Sequence, residues 1–267
     1  MTSLLFYKLL FLAIIPAFIM GAGVYLRDRY MREPLLYVGL AFGCGILAQL
    51  VAIVLEAGVV HAGYAYQSEE YAESVLQAAI TSGEHLMRAF FGETLPNVAA
   101  QILLLYCFLY YNPYFHDRHD ATVYGSMLGL GFAFMQNLIY MLTVLDRGDG
   151  VVLYGHLLTA IPVQMLVGLL IGYYYSMYYY GVNGRKKARL LYAVIMPMLA
   201  HMAYSTTYYL VIRRMDSIWV LLIFAALLYV IAIWTYLGLR SKMDTTILRH
   251  KRSNRQISYY YNTDAHR

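Results

Sequence analysis

The sequence predicts an all-α membrane protein, a polytopic bundle of about seven transmembrane helices. Of its 267 residues, 61% are hydrophobic and only 13% are charged, which is too little charge to cover the surface of a soluble domain of this length. The apolar residues also fall into blocks of roughly 20 to 26, about the length that a helix needs to cross the hydrocarbon core. These observations predict a multi-pass protein of the plasma membrane, with the lipid bilayer as a partner.

Seven apolar blocks are the candidate spans: Leu4–Leu26, Leu36–Val60, Met87–Tyr111, Val123–Leu145, Val151–Tyr175, Leu190–Val211 and Ile218–Leu239. Their lengths fit bilayer-spanning helices. The sequence therefore divides into a transmembrane bundle over residues 1–239 and a basic tail over residues 240–267. The longest connection, from His61 to Glu84, is acidic and is expected to form a short amphipathic helix or a partly ordered loop.

Basic residues set the predicted orientation of the bundle. They follow the first, fifth and seventh spans, at Arg27–Arg32, Arg185–Arg189 and Arg240–Arg255. With seven spans these three segments lie on one side, which the positive-inside rule makes cytoplasmic. The N-terminus is then outside and the C-terminal tail inside, although Arg213 and Arg214 fall on the outer side. Because the basic residues lie between apolar blocks, they indicate orientation and not a nucleic-acid partner.

The third span carries polar residues that are costly at bilayer depth. Glu93, Asn97 and Gln101 follow at intervals of four, and Pro96 predicts a kink among them. Glu93 is the only acid deep in any predicted span. An ionisable residue there is a functional hypothesis by default. The alternative is a protonated glutamate that only bonds a neighbouring helix.

Three later spans each carry a polar feature at middle depth. In the fourth, small residues at positions 125, 129 and 133 permit the close approach of another helix, and Gln136 and Asn137 form an adjacent amide pair. The fifth contains Gln164, and the sixth contains His201 with Ser205 one turn on. His201 is either a site residue or a hydrogen-bonded packing histidine.

The fourth span resembles the PrsW family, polytopic bacterial membrane proteases of the glutamic or CAAX-protease-like superfamily. That family has D-G-x-V-Y followed by G-x-G-F-A-x-x-E-N-x-x-Y; the matching residues are Asp120-Ala121-Thr122-Val123-Tyr124, Gly129-Leu130-Gly131-Phe132-Ala133 and Gln136-Asn137-Leu138-Ile139-Tyr140. Glu93-Thr94 stands at the family's E-E-x-x-K helix, Pro162-Val163-Gln164 at its P-x-H, and the His201 segment at its last H motif. The resemblance covers residues 87–210. The first two spans and the tail share only an apolar or basic character with the family.

The resemblance implies a site with Glu93 and His201 as catalytic residues, which would also be the ligands of any divalent metal such as zinc. Its other members would line a substrate cavity: Asn97, Gln136, Asn137 and Gln164.

This set departs from the family at four positions. The second glutamate of the pair is Thr94, and the lysine is Asn97 or, one turn on, Gln101. The E-N glutamate is Gln136, and the first histidine is Gln164. An amide cannot take up a proton near neutral pH, and zinc usually binds three protein ligands of other types. The catalytic set is therefore incomplete.

Three functions of different classes are compatible with these residues. One is a PrsW-like protein with impaired or lost peptidase activity, which engages transmembrane helices of membrane-protein substrates. A second is an active intramembrane protease that cleaves a single-span protein such as an anti-sigma factor. A third is a proton-coupled carrier that uses Glu93. We favour the first because the substitutions fall in separate motifs, and we rank the carrier last because the sequence shows no repeated halves.

Overall fold

A computed structural model describes residues 3–27, 33–61, 89–144, 150–180, 186–214 and 218–264. Over these ranges the chain forms helices and short turns. The helices are α1 (Ser3–Leu26), α2 (Leu35–His61), a π-helical turn (Ala89–Thr94), α3 (Leu95–Tyr111), α4 (Arg118–Val144), α5 (Gly150–Tyr179), α6 (Lys186–Arg214) and α7 (Ile218–Asp264).

The described part of the chain confirms the predicted all-α membrane architecture. Six of its helical segments are long and apolar enough to cross a bilayer, from Leu35–Val59 to Trp219–Met243. The helix α1 adds a shorter apolar stretch over Leu10–Leu26. The side of the membrane on which each terminus lies stays a prediction.

The last helix extends beyond the predicted seventh span. The last helix continues without a break from the predicted span through residues 240–264, a stretch that contains neither glycine nor proline to end it. The predicted connection from His61 to Glu84 lies outside the described residues, apart from His61 itself.

The proline of the third span is accompanied by a π-helical turn. Ala89–Thr94 is π-helical, and Pro96 lies in the first turn of α3. Pro96 has no N–H, so it cannot donate a hydrogen bond to the carbonyl of Gly92, four residues earlier. The next main-chain N–H in the chain is that of Asn97, five residues after Gly92. A hydrogen bond between residues five apart is the one that defines a π-helix, so the loss of the proline N–H favours the wider turn seen here.

Two helices, α4 and α5, form the interior of the bundle and touch through glycines. A Cβ atom added at Gly125 would lie 2.3 Å from the carbonyl oxygen of Gly168, and one at Gly129 would lie 2.1 Å from that of Gln164. On another face of α4, a Cβ at Gly131 would lie 1.9 Å from the carbonyl oxygen of Phe42 in α2. These contacts require glycine, and they bring the amide-bearing segments of α4 and α5 together.

The outward faces of the outer helices are apolar. Large side chains on α1, α2, α6 and α7 are exposed, including Phe18, Leu47, Leu199 and Trp234. In a bilayer these faces contact lipid tails, while polar side chains are confined to the bundle interior or to its ends. At one end, the hydroxyl of Tyr124 in α4 donates a hydrogen bond to the Glu33 carboxylate just before α2.

Candidate functional site

A buried side-chain amide, that of Gln164 in α5, is the centre of a polar cluster inside the bundle. Its Oε1 accepts a hydrogen bond of 2.8 Å from Nε2 of Gln101 in α3. Its own Nε2 donates to Oε1 of Gln136 in α4 at 3.0 Å and lies 3.3 Å from Nε2 of His201 in α6. Gln164 is only 1% exposed, and its hydrogen bonds join four helices.

The hydrogen bonds around Gln164 fix the tautomer of His201. An amide nitrogen only donates hydrogen bonds, so Nε2 of His201 must be the acceptor of the contact with Gln164. In the neutral ring the proton is then on Nδ1. This nitrogen lies 3.2 Å from the hydroxyl of Thr94 and 3.5 Å from that of Ser205, both of which can accept its hydrogen bond.

The π-helical turn places Thr94 and Glu93 in different surroundings. Thr94 is fully buried against His201. Glu93, the preceding residue, is exposed, and its carboxylate is near the Ser205 hydroxyl of α6. Glu93 therefore lies at the edge of the cluster, with the Ser205 hydroxyl between it and His201.

The remaining two residues of the predicted site are not hydrogen-bonded to the Gln164 cluster. Asn137 is fully buried, and its Nδ2 donates to the backbone carbonyl of Leu157 at 3.0 Å. Asn97 is 3% exposed, and its Oδ1 accepts no hydrogen bond from the described residues. Asn137 thus links α4 to α5 through its nitrogen, and the Oδ1 atoms of both asparagines accept no hydrogen bond from the described residues.

Three residues of the cluster were not among those predicted for the site: Thr94, Gln101 and Ser205. Their spacing in the sequence could have identified them as members of the cluster. Ser205 is one helical turn from His201, on the same face. Thr94 and Gln101 are seven residues apart, a spacing that keeps two side chains within about 20° of each other around an α-helix. This heptad relation is a better guide to the buried face than the four-residue intervals that begin at Glu93.

One aromatic side chain borders the cluster. The ring of Tyr204 lies 6.1 Å from that of His201, nearly perpendicular to it. Its hydroxyl is 2.8 Å from that of Thr159 in α5, which in turn donates to the carbonyl of Gly155. This chain of hydrogen bonds joins α6 to α5 beside His201.

The arrangement can donate and accept hydrogen bonds, but its donors for a metal ion are few. The part of the chain that the structure describes holds no group of three or more His, Cys, Asp or Glu side chains that could bind a metal. The lone pair of His201 Nε2 faces the Gln164 amide. The residues present therefore do not form the three-ligand site that zinc usually requires.

Comparison with known proteins relates the chain to one family. The model of the PrsW-protease family, described as PrsW family intramembrane metalloprotease, matches residues 33–235. This match extends beyond the resemblance over residues 87–210 and includes α2.

Individual curated relatives agree with the family match. Protease PrsW of Clostridioides difficile is 26% identical over 227 residues, which are 85% of this chain and 87% of the relative. Protease PrsW of Halalkalibacterium halodurans is 28% identical over 200 residues, covering 74% and 82%. Protease PrsW of Bacillus subtilis is 22% identical over 182 residues, covering 68% and 73%. No solved structure matches the chain significantly.

Proposed function

This chain belongs to the PrsW family of intramembrane metalloproteases, and we propose that it is a member with impaired or lost peptidase activity. In this proposal its polar cluster engages a transmembrane helix of another membrane protein. The chain is a multi-pass protein of the cell membrane. The observation that carries the proposal is the Gln164 amide, which donates hydrogen bonds to both Gln136 and His201.

The family description implies a metal that the residues of this cluster do not fit. Two of the positions that the family resemblance assigns to a carboxylate and an imidazole are Gln136 and Gln164. In this chain their amides hydrogen-bond to each other, and Gln164 also uses the His201 lone pair. Glu93 and His201 alone provide two ligands where zinc usually takes three. The side chains at these positions are thus engaged in hydrogen bonds with one another.

Peptide hydrolysis also needs a group that activates water. The amides of Gln136 and Gln164 cannot serve as general bases near neutral pH. Nε2 of His201 faces an amide donor, so a water molecule would have to displace Gln164 to reach it. These contacts support a binding role over a hydrolytic one.

Binding of a transmembrane helix is the role that the remaining chemistry fits best. The cluster presents amides, hydroxyls and an imidazole within a bundle whose outer faces are apolar. Hydrogen bonds between helices stabilise association in a bilayer, where lipid tails offer no competing partner. By the family resemblance, the helix would belong to a single-span membrane protein.

The experiment is to restore the missing ligands and measure metal binding. Zinc content is determined by mass spectrometry for the native protein and for the Gln136→Glu/Gln164→His double variant, both purified in detergent. We expect about one zinc ion per double-variant molecule, because its ligand set rises from two towards four, and much less in the native protein. Gln49→Glu is the matched control, since Gln49 is a buried glutamine of α2 outside the cluster. Stoichiometric zinc in the native protein would contradict the proposal.

A second candidate, an active protease, is favoured by the connection from Glu93 through Ser205 to His201. A carboxylate and an imidazole joined in this way could act as base and orienting group. Cleavage of a single-span reporter protein in proteoliposomes separates the candidates. The impaired-activity proposal predicts cleavage no faster than in the Glu93→Gln variant. Brisk native cleavage that Glu93→Gln abolishes would establish the protease and refute the proposal.

A further inference from the structure

Two buried amide oxygens on neighbouring turns of α3 have no hydrogen-bond donor among the described residues. They are Oδ1 of Asn97 and Oε1 of Gln101, whose residues are 3% and 0% exposed. Asn97 and Gln101 are four residues apart, so they lie on neighbouring turns, about 6 Å apart along the helix axis. Unsatisfied acceptors are costly inside a bundle that spans a membrane.

The free oxygen of Gln101 is a consequence of the cluster itself. Both donors of the Gln164 amide are used by Gln136 and His201, so Gln164 offers only its oxygen to α3. Gln101 must therefore present its own NH2 group to Gln164. This orientation turns the Gln101 oxygen away from that contact and leaves it able to accept another hydrogen bond.

The ligand of these oxygens must be a hydrogen-bond donor that exists at membrane depth. Side chains with strong donors are rare in transmembrane segments, whereas every residue except proline carries a main-chain N–H. An intact helix uses these N–H groups internally. In an extended segment, N–H groups on the same side recur every second residue, about 6.6–6.8 Å apart. This spacing is close to that of Asn97 and Gln101 along α3.

We propose that Asn97 and Gln101 accept hydrogen bonds from two main-chain N–H groups of a transmembrane segment whose helix is locally unwound. The inference rests on the proposed function, in which the cluster engages a transmembrane helix, and it specifies which helices are selected. They are helices interrupted by glycine or proline, because the first residues of the helix that follows such a break have main-chain N–H groups without an intrahelical partner.

The backbone beside the two residues allows an adjustment on binding. The π-helical turn and Pro96 precede Asn97 directly, and both interrupt the regular hydrogen bonding of a helix. The helix α6 covers the cluster through the contact of His201 with Thr94. A segment reaches Asn97 and Gln101 when this contact loosens.

The test uses a synthetic peptide and an analogue that lacks two of its N–H groups. The probe is a Leu/Ala transmembrane peptide with lysine ends and a central Gly-Pro break, labelled with a fluorophore. In the analogue, the two amides next to the break are replaced by esters, which keep the side chains but cannot donate. Affinities are measured in nanodiscs for the native protein, for Asn97→Leu and for the control Gln49→Met. Gln49 has an equally buried oxygen without a donor among the described residues, on α2.

The expected result is a coupling between the esters and Asn97. In the native protein and in Gln49→Met, the ester peptide should bind about threefold to tenfold more weakly for each hydrogen bond lost. Asn97→Leu should weaken the amide peptide by the factor for one hydrogen bond, and the double-ester peptide should then lose only the one remaining hydrogen bond, that to Gln101. The melting temperature of the Asn97→Leu variant should not fall, because the substitution removes an unsatisfied oxygen. Weaker peptide binding by this variant therefore cannot be attributed to unfolding.

Two other outcomes overturn the proposal in different ways. If the native protein binds both peptides equally, or if the esters weaken binding to Asn97→Leu as much as to the native protein, the oxygens hold water or nothing and the proposed function stands without this site. If the native protein binds neither peptide, the proposed helix-binding function fails together with the site.

Discussion

Nε2 of Gln164 and Nε2 of His201 lie 3.3 Å apart, and the amide is the donor of this contact. Gln164 also hydrogen-bonds to Gln136 and Gln101. This one side chain therefore determines the directions of these hydrogen bonds and the tautomer of His201. The histidine is neutral and oriented, and its lone pair is in use. The same network also provides hydrogen-bond partners for most of the polar side chains that the four helices place in the cluster.

Removal of the Gln164 side chain should destabilise the bundle. Gln164→Ala breaks hydrogen bonds to three residues, and such bonds average about 0.6 kcal/mol each in membrane proteins, so we expect a loss of roughly 2 kcal/mol. The measurement is the free energy of unfolding in a mixed-micelle titration. Thr207→Ala is the control, because Thr207 is exposed and bonds only its own helix. Equal effects of the two substitutions would show that the cluster does not contribute to stability.

A methyl group at Gly129 should separate α4 from α5. Its Cβ would lie 2.1 Å from the carbonyl oxygen of Gln164, and backbone cannot yield as a flexible side chain can. We expect Gly129→Ala to cost about 1–3 kcal/mol in the free energy of unfolding. At Gly43 a Cβ would meet no described atom within 4 Å, so Gly43→Ala should be neutral or slightly stabilising. A neutral Gly129→Ala would contradict the close contact of the two helices.

The tautomer of His201 can be read by nitrogen NMR. In the native protein, Nδ1 should carry the proton and Nε2 should show the shift of an unprotonated nitrogen. Thr94→Val removes one acceptor of the Nδ1 hydrogen bond, but Ser205 remains, so the tautomer should persist. Gln164→Glu should reverse it, since an ionised carboxylate can only accept. A proton on Nε2 in the native protein would refute the assignment.

The orientation of the bundle can be tested by cysteine labelling. In a background without Cys44 and Cys107, a cysteine at Ser253 should react with an impermeant reagent only after the cells are permeabilised, because the basic tail is predicted to be cytoplasmic. A cysteine at Asp149, between the fourth and fifth predicted spans, is the control and should react in intact cells. The reverse pattern would invert the topology.

Hydrophobicity and charge determined the architecture of this protein from the sequence alone. Apolar blocks of bilayer length have few alternatives to helices, because each backbone polar group must be satisfied within its own segment. The small residues at 125 and 129 likewise predicted a close helix contact, which α4 and α5 make. These properties depend on residues that are close together in the chain, so they can be predicted from the sequence.

The pairing of the polar side chains was decided only by the tertiary structure. Gln136 and Gln164 meet because Gly129 lets α5 approach α4, and the position of α6 relative to both selects His201 as the third partner. Residues spaced by four drift by about 40° per step around an α-helix. Glu93 is thus two steps out of phase with Gln101, whereas Thr94 is nearly in phase with it. The sequence identified which side chains were too polar for lipid, but their partners depended on the distances and rotations of helices far apart in the chain.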